Sequence, residues 1–344
     1  MESFVFSRTF TVLGTVAIIA WAGQAYAVEP GTVDPHEPGV LSGVPAGVVP
    51  PPGFYAFNNL NYVSGSLAGG NGNINKAPFT QLNVTAWVEI PTIEWVAPFK
   101  ILGASYATAV TQPIVTTAVT NDGVTKNKTG LDNLLINPLI LSWQLPEGFF
   151  LSFSLPIGVK TGDNEGDAAG GTAGIIHNAA NNWIFGPSLN LAWFNGHGTA
   201  LSLNSEFDVQ TQDNNFLNIG GLGKATYQSA PFVTLDFGVE QVLPGAYKNW
   251  GVGLIGTFAT QLGDDTIGGS TATLAAAGAT PGTVPANFLT QNNSKGSRVT
   301  IFGLGPSVSY NFGPVGMTLY YTNDVIAQNA VKASTVWWVL AIPL

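Results

Sequence analysis

The sequence predicts an all-β fold: a transmembrane antiparallel up-and-down β-barrel of about 12 strands, with short periplasmic turns and long extracellular loops. Three observations predict it. Segments of about ten residues alternate between apolar and polar side chains, which is the period of a strand with two different faces. The connections between these segments alternate between short and long. Only 9% of the 344 residues are charged, whereas ordinary soluble domains carry about 25%.

The chain begins with an export signal. After Arg8 comes the apolar run TFTVLGTVAIIAWAG, then AYA at Ala25–Ala27. A charged start, a short apolar core and a small-residue cleavage site describe a secretory signal peptide over residues 1–27, with Val28 as the mature N-terminus. Residues 28–53, VEPGTVDPHEPGVLSGVPAGVVPPPG, are rich in Pro and Gly and have no period. They form either a flexible periplasmic tail or a plug that folds into the barrel.

From Phe54 to Leu344 the alternation recurs in segments at 54–63, 79–90, 99–110, 132–145, 149–160, 182–194, 199–210, 226–242, 250–261, 297–311, 316–326 and 333–344. QLNVTAWVEI sets Leu82, Val84, Ala86, Val88 and Ile90 against Asn83, Thr85, Trp87 and Glu89. FFLSFSLPIGVK sets Phe149, Leu151, Phe153 and Leu155 against Ser152, Ser154 and Lys160. WIFGPSLNLAWF sets Trp183, Phe185, Leu189, Leu191 and Trp193 against Ser188 and Asn190. LSLNSEFDVQ sets Leu201, Leu203, Phe207 and Val209 against Asn204, Glu206, Asp208 and Gln210. VTLDFGVE sets Val233, Leu235, Phe237 and Val239 against Asp236 and Glu240. The segments at 54–63, 99–110 and 132–145 alternate less clearly. PTIEWVAP, PEG, NGHG, LPGAYKN and GPVG read as the short turns. The stretches 65–78, 111–131, 161–181, 211–225 and 262–296 read as the long loops, with a brief exception at 327–332.

A soluble sandwich also alternates, but its polar faces carry Lys, Glu, Arg and Asp. Here they carry mostly Ser, Thr, Asn, Gln and Gly. In lipid every unpaired backbone N–H or C=O costs several kcal/mol, so the sheet must close on itself. The apolar face then meets acyl chains and the polar face lines a lumen. Inward parity nominates Glu89, Asn204, Glu206, Asp208, Asp236 and Glu240, opposed by Lys160. These form either an acidic constriction or structural anchors for a plug. Trp87, Trp183, Trp193, Trp337 and Trp338 suit the membrane interface.

Other chemistry is poorly supported. The net charge of −9 and only 11 scattered basic residues exclude a nucleic-acid partner. With no cysteine there is no disulfide framework, thiolate metal site or cysteine nucleophile. The histidines, His36, His177 and His197, lie outside convincing strands, and no catalytic or metal-binding constellation forms around them; His177 with Asp163, Glu165 or Asp167 is the weak exception. DNEGD at 163–167 lacks the full pattern of a calcium loop. No cofactor is expected.

PPPGFYAFNNLNYVSG, GPSLNLAW, the run from Tyr227 to Asp265 and GLGPSVSYNF resemble the outer-membrane proteins of the phenol-degradation meta-pathway family, whose members are described as transporters. Gln261, Asp264 and Asp265 match the family's late Gln-spacer-acid pair. The resemblance implies passage of hydrophobic or aromatic compounds across the bacterial outer membrane. The expected partners are outer-membrane lipid, such a solute and the assembly machinery that inserts barrels. The chain ends on Leu344 rather than an aromatic, so recognition by that machinery would fall to Trp337 and Trp338. The alternative is a structural or surface-interaction barrel with a closed lumen.

Overall fold

The computed structural model describes residues 37–74, 82–121, 123–163, 178–219, 223–270 and 298–344. The signal peptide, His36, His177, Glu165, Asp167 and most of the 262–296 loop lie outside the described residues.

The barrel has twelve spans. They are β1 (Gly53–Ala68), β2 (Leu82–Ile101), β3 (Ala104–Thr111 continued by Ile114–Asn121) and β4 (Val124–Leu131 continued by Leu134–Gln144). Next come β5 (Phe149–Ser154 with Ile157–Val159), β6 (Ile184–Phe185 with Ser188–Phe194), β7 (Thr199–Gln210) and β8 (Phe232–Val242). The last four are β9 (Trp250–Gln261), β10 (Thr300–Asn311), β11 (Gly316–Gln328) and β12 (Ala330–Pro343). Each pairs antiparallel with the next, and β12 returns to pair with β1 from Ala330↔Ala68 to Pro343↔Tyr55. The ring leaves no open edge, as lipid requires.

Alternation sorts the two faces of β7. Ser202, Asn204, Glu206, Asp208 and Gln210 are buried, while Leu201, Leu203, Phe207 and Val209 are exposed on the outside. β6 does the same, with Ser188 and Asn190 in and Leu189 and Leu191 out. At the short-turn end the outer rings adjoin one another: Phe54 with Trp95, Trp95 with Tyr106, Phe149 with Trp193, and Trp250 with Tyr310. These pairs form an aromatic belt of the kind that suits the membrane interface.

The structure corrects three readings. The chain does not turn over PTIEWVAP: β2 runs on to Ile101, and the turn is Leu102–Gly103, both with positive φ (51° and 78°). A two-residue turn of that handedness matches the strand twist. Residues 111–131 are not an irregular loop but an extension of β3 and β4 into a paired hairpin, from Ile114↔Leu131 to Asn121↔Val124. The segment expected at 226–242 is divided. Gly223–Gln228 joins Asp213–Ile219 and Thr266–Gly268 in a small separate sheet, and β8 begins at Phe232.

Irregularities concentrate in one wall. β4 carries a bulge at Pro138, across which the inward positions change from Leu135 and Asn137 to Ile140 and Ser142. β5 breaks at Leu155–Pro156 and β6 at Gly186–Pro187, bridged by Gly186 N–H to Pro156 O and Phe207 N–H to Pro187 O. Proline has no N–H to give a ladder, which is why each strand is interrupted there. The bulge also explains the weak alternation read at 132–145.

Candidate functional site

Residues 37–50 lie inside the barrel. They cannot continue a sheet, because Pro and Gly recur without period. They form successive tight turns instead, with Val40 N–H to Glu37 O, Ser42 N–H to Gly39 O and Val44 N–H to Leu41 O. Gly43 has a positive φ of 75°, and a side chain there would strike Ile255. Across from it, a Cβ on Gly238 would fall 2.6 Å from the Gly43 Cα. Two glycines therefore let the segment and the β8 wall meet backbone to backbone.

The barrel holds this segment by polar contacts from many strands. Asp236 of β8 accepts the Gly39 N–H (2.9 Å) and the Leu41 N–H (2.8 Å). Asn204 of β7, in register with Asp236, donates to Leu41 O and Val44 O. Ser142 donates to Gly47 O, Ser152 to Ala46 O, and Tyr320 to Gly39 O. Asn61 donates to the Glu37 carboxylate at 2.9 Å. Ser42 in turn donates to Gly256 O. Buried amides and carbonyls must be paired somewhere, and here side chains of the wall pair them.

The other side of the segment is apolar. Val40, Leu41, Val44 and Ala46 share one packed cluster with Val63, Val84, Val88, Ile90, Ile301 and Val331. These wall residues come from β1, β2, β10 and β12. The lumen is thus divided between an apolar wall and a polar wall on β6 to β8.

The candidate residues distribute as follows. Asn204, Glu206, Asp208 and Asp236 are buried on the inner face, with Glu206 opposite Thr234 and Asp208 opposite Phe232. Glu240 is half-buried at the short-turn end of β8, lining a cavity of about 40 Å³ with Gly43, Pro45 and Tyr310. Three candidates are not where the sequence reading placed them. Glu89 is on the outside of β2, where Asn58 donates to it at 3.2 Å. The apolar residues of that strand turn inward because the inner segment is itself apolar there. Lys160 is exposed beyond the end of β5, so it does not oppose the acids. Trp337 is not at the interface: it is fully buried inside, stacked on Tyr320 at 5.4 Å between ring centroids. Trp87, Trp183 and Trp338 are exposed on the outer face, and Trp193 is half-buried there. His197 is exposed in its turn, its N–H held by Asn195.

Gln261, Asp264 and Asp265 assemble a clasp at the long-loop end. Gln261 exchanges two hydrogen bonds with the Val299 backbone, one through its own N–H and one through its side-chain oxygen. Its amide donates to Asp265, which also accepts from Tyr227 OH (2.7 Å) and Ala230 N–H (2.8 Å). Asp264 pairs with Arg298 at 2.6 Å on the surface. The clasp ties β9 to β10 and both to the small separate sheet.

Sequence reasoning missed Tyr320, Asn61 and Glu94. Glu94 is fully buried on the inner face of β2. The signal was present: Thr92 and Glu94 continue an alternation that was stopped at Ile90.

A family model described as the MetA-pathway of phenol degradation matches residues 68–340. The chain belongs to this family. The phenol-degradation match spans the end of β1 through most of β12 and leaves the inner segment outside it. Among solved structures, an outer membrane channel from Pseudomonas putida F1 superposes with a TM-score of 0.65 at 12% sequence identity, covering 85% of this chain and 96% of that one. At that identity the likeness is one of fold: this phenol-degradation family member shares the closed β-barrel of that channel. The transport unit of the autotransporter AIDA-I from Escherichia coli (TM-score 0.48, 8% identity, 85% and 90% covered) and a FadL homologue from Pseudomonas aeruginosa (0.42, 8%, 95% and 98%) are too distant to argue from. No curated protein matches the chain.

Proposed function

We propose that the protein is an outer-membrane channel for passive passage of small hydrophobic or aromatic compounds, with residues 37–50 as a plug that controls access. One observation carries this reading. The lumen has an apolar wall, built from Val63, Val84, Val88, Ile90, Ile301 and Val331. A passage for ions or sugars would be polar and water-filled all round. Here an oily solute could replace the plug's valines against the same wall without leaving apolar surface wet. The name of the Pseudomonas putida structure, a channel, agrees with this reading. The test is uptake of a panel of aromatic and aliphatic compounds by cells with and without the protein. Faster entry of the apolar members is expected, and equal entry of all of them would refute the reading.

The filled lumen favours a second reading, a closed structural barrel whose extended β3–β4 hairpin is the working surface. Reconstitution in a planar bilayer separates the two. A structural barrel conducts nothing even after residues 37–50 are deleted. If Glu206 and Asp208 line the freed lumen, changing them to Asn and Ser alters the ion preference of the deleted form.

A further inference from the structure

The short-turn end of the barrel holds a cavity of about 40 Å³ between the inner segment and the wall of β8 to β11. Gly43 and Pro45 close one side of it, and Glu240, Gly251, Ser309 and Thr318 line the other. The space exists because β9 is bare there. Gly251 and Gly253 stand between β8 and β10 without side chains, so the Glu240 side chain lies across β9 and takes a hydrogen bond from the Ser309 hydroxyl, two strands away. A Cβ on Gly251 would fall 2.8 Å from that carboxylate. Ser309 in turn stands directly opposite Thr318 of β11. Among the described residues Glu240 has no ion-pair partner; the pair of Asp264 and Arg298 lies at the other end of the barrel. No Lys or Arg among them is buried, whereas Glu37, Asp208 and Asp236 are. The interior is therefore negative, and it ends at a carboxylate that faces open space. Such a group attracts a cation.

Size and ligand set choose the cation. The cavity has room for about three waters. Calcium takes six to eight oxygens, commonly from several carboxylates. Here there is one carboxylate, and no group of three acidic, histidine or cysteine ligands exists among the described residues. A primary ammonium has three N–H donors, and Glu240, Ser309 and Thr318 offer three acceptors. We propose that this cavity binds a primary alkylammonium ion. Its head sits on Glu240, its first carbons lie against Pro45 and Val242, and its chain leaves by the short-turn mouth, where Asn249 is exposed. The site is separate from the apolar wall and takes a different class of ligand, so it does not depend on whether the lumen conducts.

The test uses the full chain in phosphatidylcholine nanodiscs, with butylammonium chloride as the probe and saturation-transfer NMR as the readout. Empty nanodiscs give the blank. Butylammonium is expected to bind and 1-butanol not to. Glu240→Gln keeps the shape, removes the charge, and should weaken binding about tenfold, the worth of a hydrogen bond to a charged group. Thr318→Val removes an acceptor without changing the charge and should weaken binding by a smaller factor. Glu89→Gln makes the same charge change on the outer face and should bind as the wild type does. An unchanged affinity in Glu240→Gln or in Thr318→Val overturns the proposal, so either variant decides it if the other fails to fold. An equal loss in Glu89→Gln would mean attraction by net charge alone and overturn it as well. So would equal binding of tetramethylammonium, which has no N–H to donate, or displacement of butylammonium by equimolar sodium.

Discussion

The Asp236 carboxylate receives the backbone N–H of Gly39 at 2.9 Å, joining a barrel strand to a segment 197 positions earlier in the chain. A second N–H, from Leu41, reaches its other oxygen. This single side chain therefore anchors the first turns of the inner segment. Asp236→Leu leaves two backbone donors buried without acceptors, at a cost of about 1–3 kcal/mol each. The segment is expected to leave its seat for a larger share of the time. The chain has no cysteine, so Val44→Cys gives a clean reporter. Its maleimide labelling should rise at least tenfold when Asp236→Leu is added; equal rates in both backgrounds would show that Asp236 is not an anchor.

Two adjacent tryptophans give a sharp contrast. Trp337 is fully buried against Tyr320, and Trp338 is exposed on the outer face. Trp337→Ala is expected to cost about 3–5 kcal/mol, as a large aromatic removed from a packed interior does. Trp338→Ala should cost far less. Urea unfolding of the two variants in lipid, side by side, checks the order.

Faces can be checked by charge. Leu203 faces outward and Asn204 inward. Leu203→Arg is expected to destabilise the inserted barrel by about 2–4 kcal/mol if it lies near the bilayer midplane. Asn204→Ala removes two hydrogen bonds to the inner segment, so it should loosen that segment while leaving insertion intact. Membrane insertion and Val44→Cys labelling read the two effects separately.

The clasp should depend on pH. Burial pushes the Asp265 carboxyl from 3.8 up to about 8, against hydrogen bonds from Ala230, Tyr227 and Gln261 that lower it. A carboxyl raised on folding contributes its full stability below its unfolded value and loses it as pH rises through the folded one. The clasp is therefore strongest below pH 4, weakens between pH 4 and 8, and has lost this contribution above about 8. Protease cleavage within 213–228 should accelerate from pH 5 to 9 in the wild type. Asp265→Asn cannot ionise, so its cleavage rate should stay flat over the same range.

Strand parity was legible where both faces have a fixed environment. β6, β7 and β8 have an apolar outer face and polar contacts with residues 37–50 inside, so alternation alone places Asn204 and Asp236. On β2 the same logic inverts. Its inner neighbour is Val40 and Leu41 rather than water, so the apolar residues turn in and Glu89 turns out. Alternation reports that two faces differ; it does not report which of them is inside. Trp337 misleads for the same reason, since an aromatic suits an interface and a packed interior alike. The β3–β4 hairpin escaped notice because Thr and Asn on an exposed ladder look like loop composition. The pairs Thr116–Thr129 and Thr120–Thr125 become visible only in register.

By itself the sequence determined that the chain forms a ring of two-faced strands, because hydrocarbon does not tolerate an unpaired backbone edge. It also showed no strand period in residues 28–53, of which 37–48 fold into successive tight turns. Only the tertiary structure decided what fills the ring. Gly39 and Asp236, Asn61 and Glu37, and Glu94 and Asn137 are brought together by closure and register, which no local pattern encodes. Their meeting depends on strand order and on a bulge at Pro138 that resets which residues face inward.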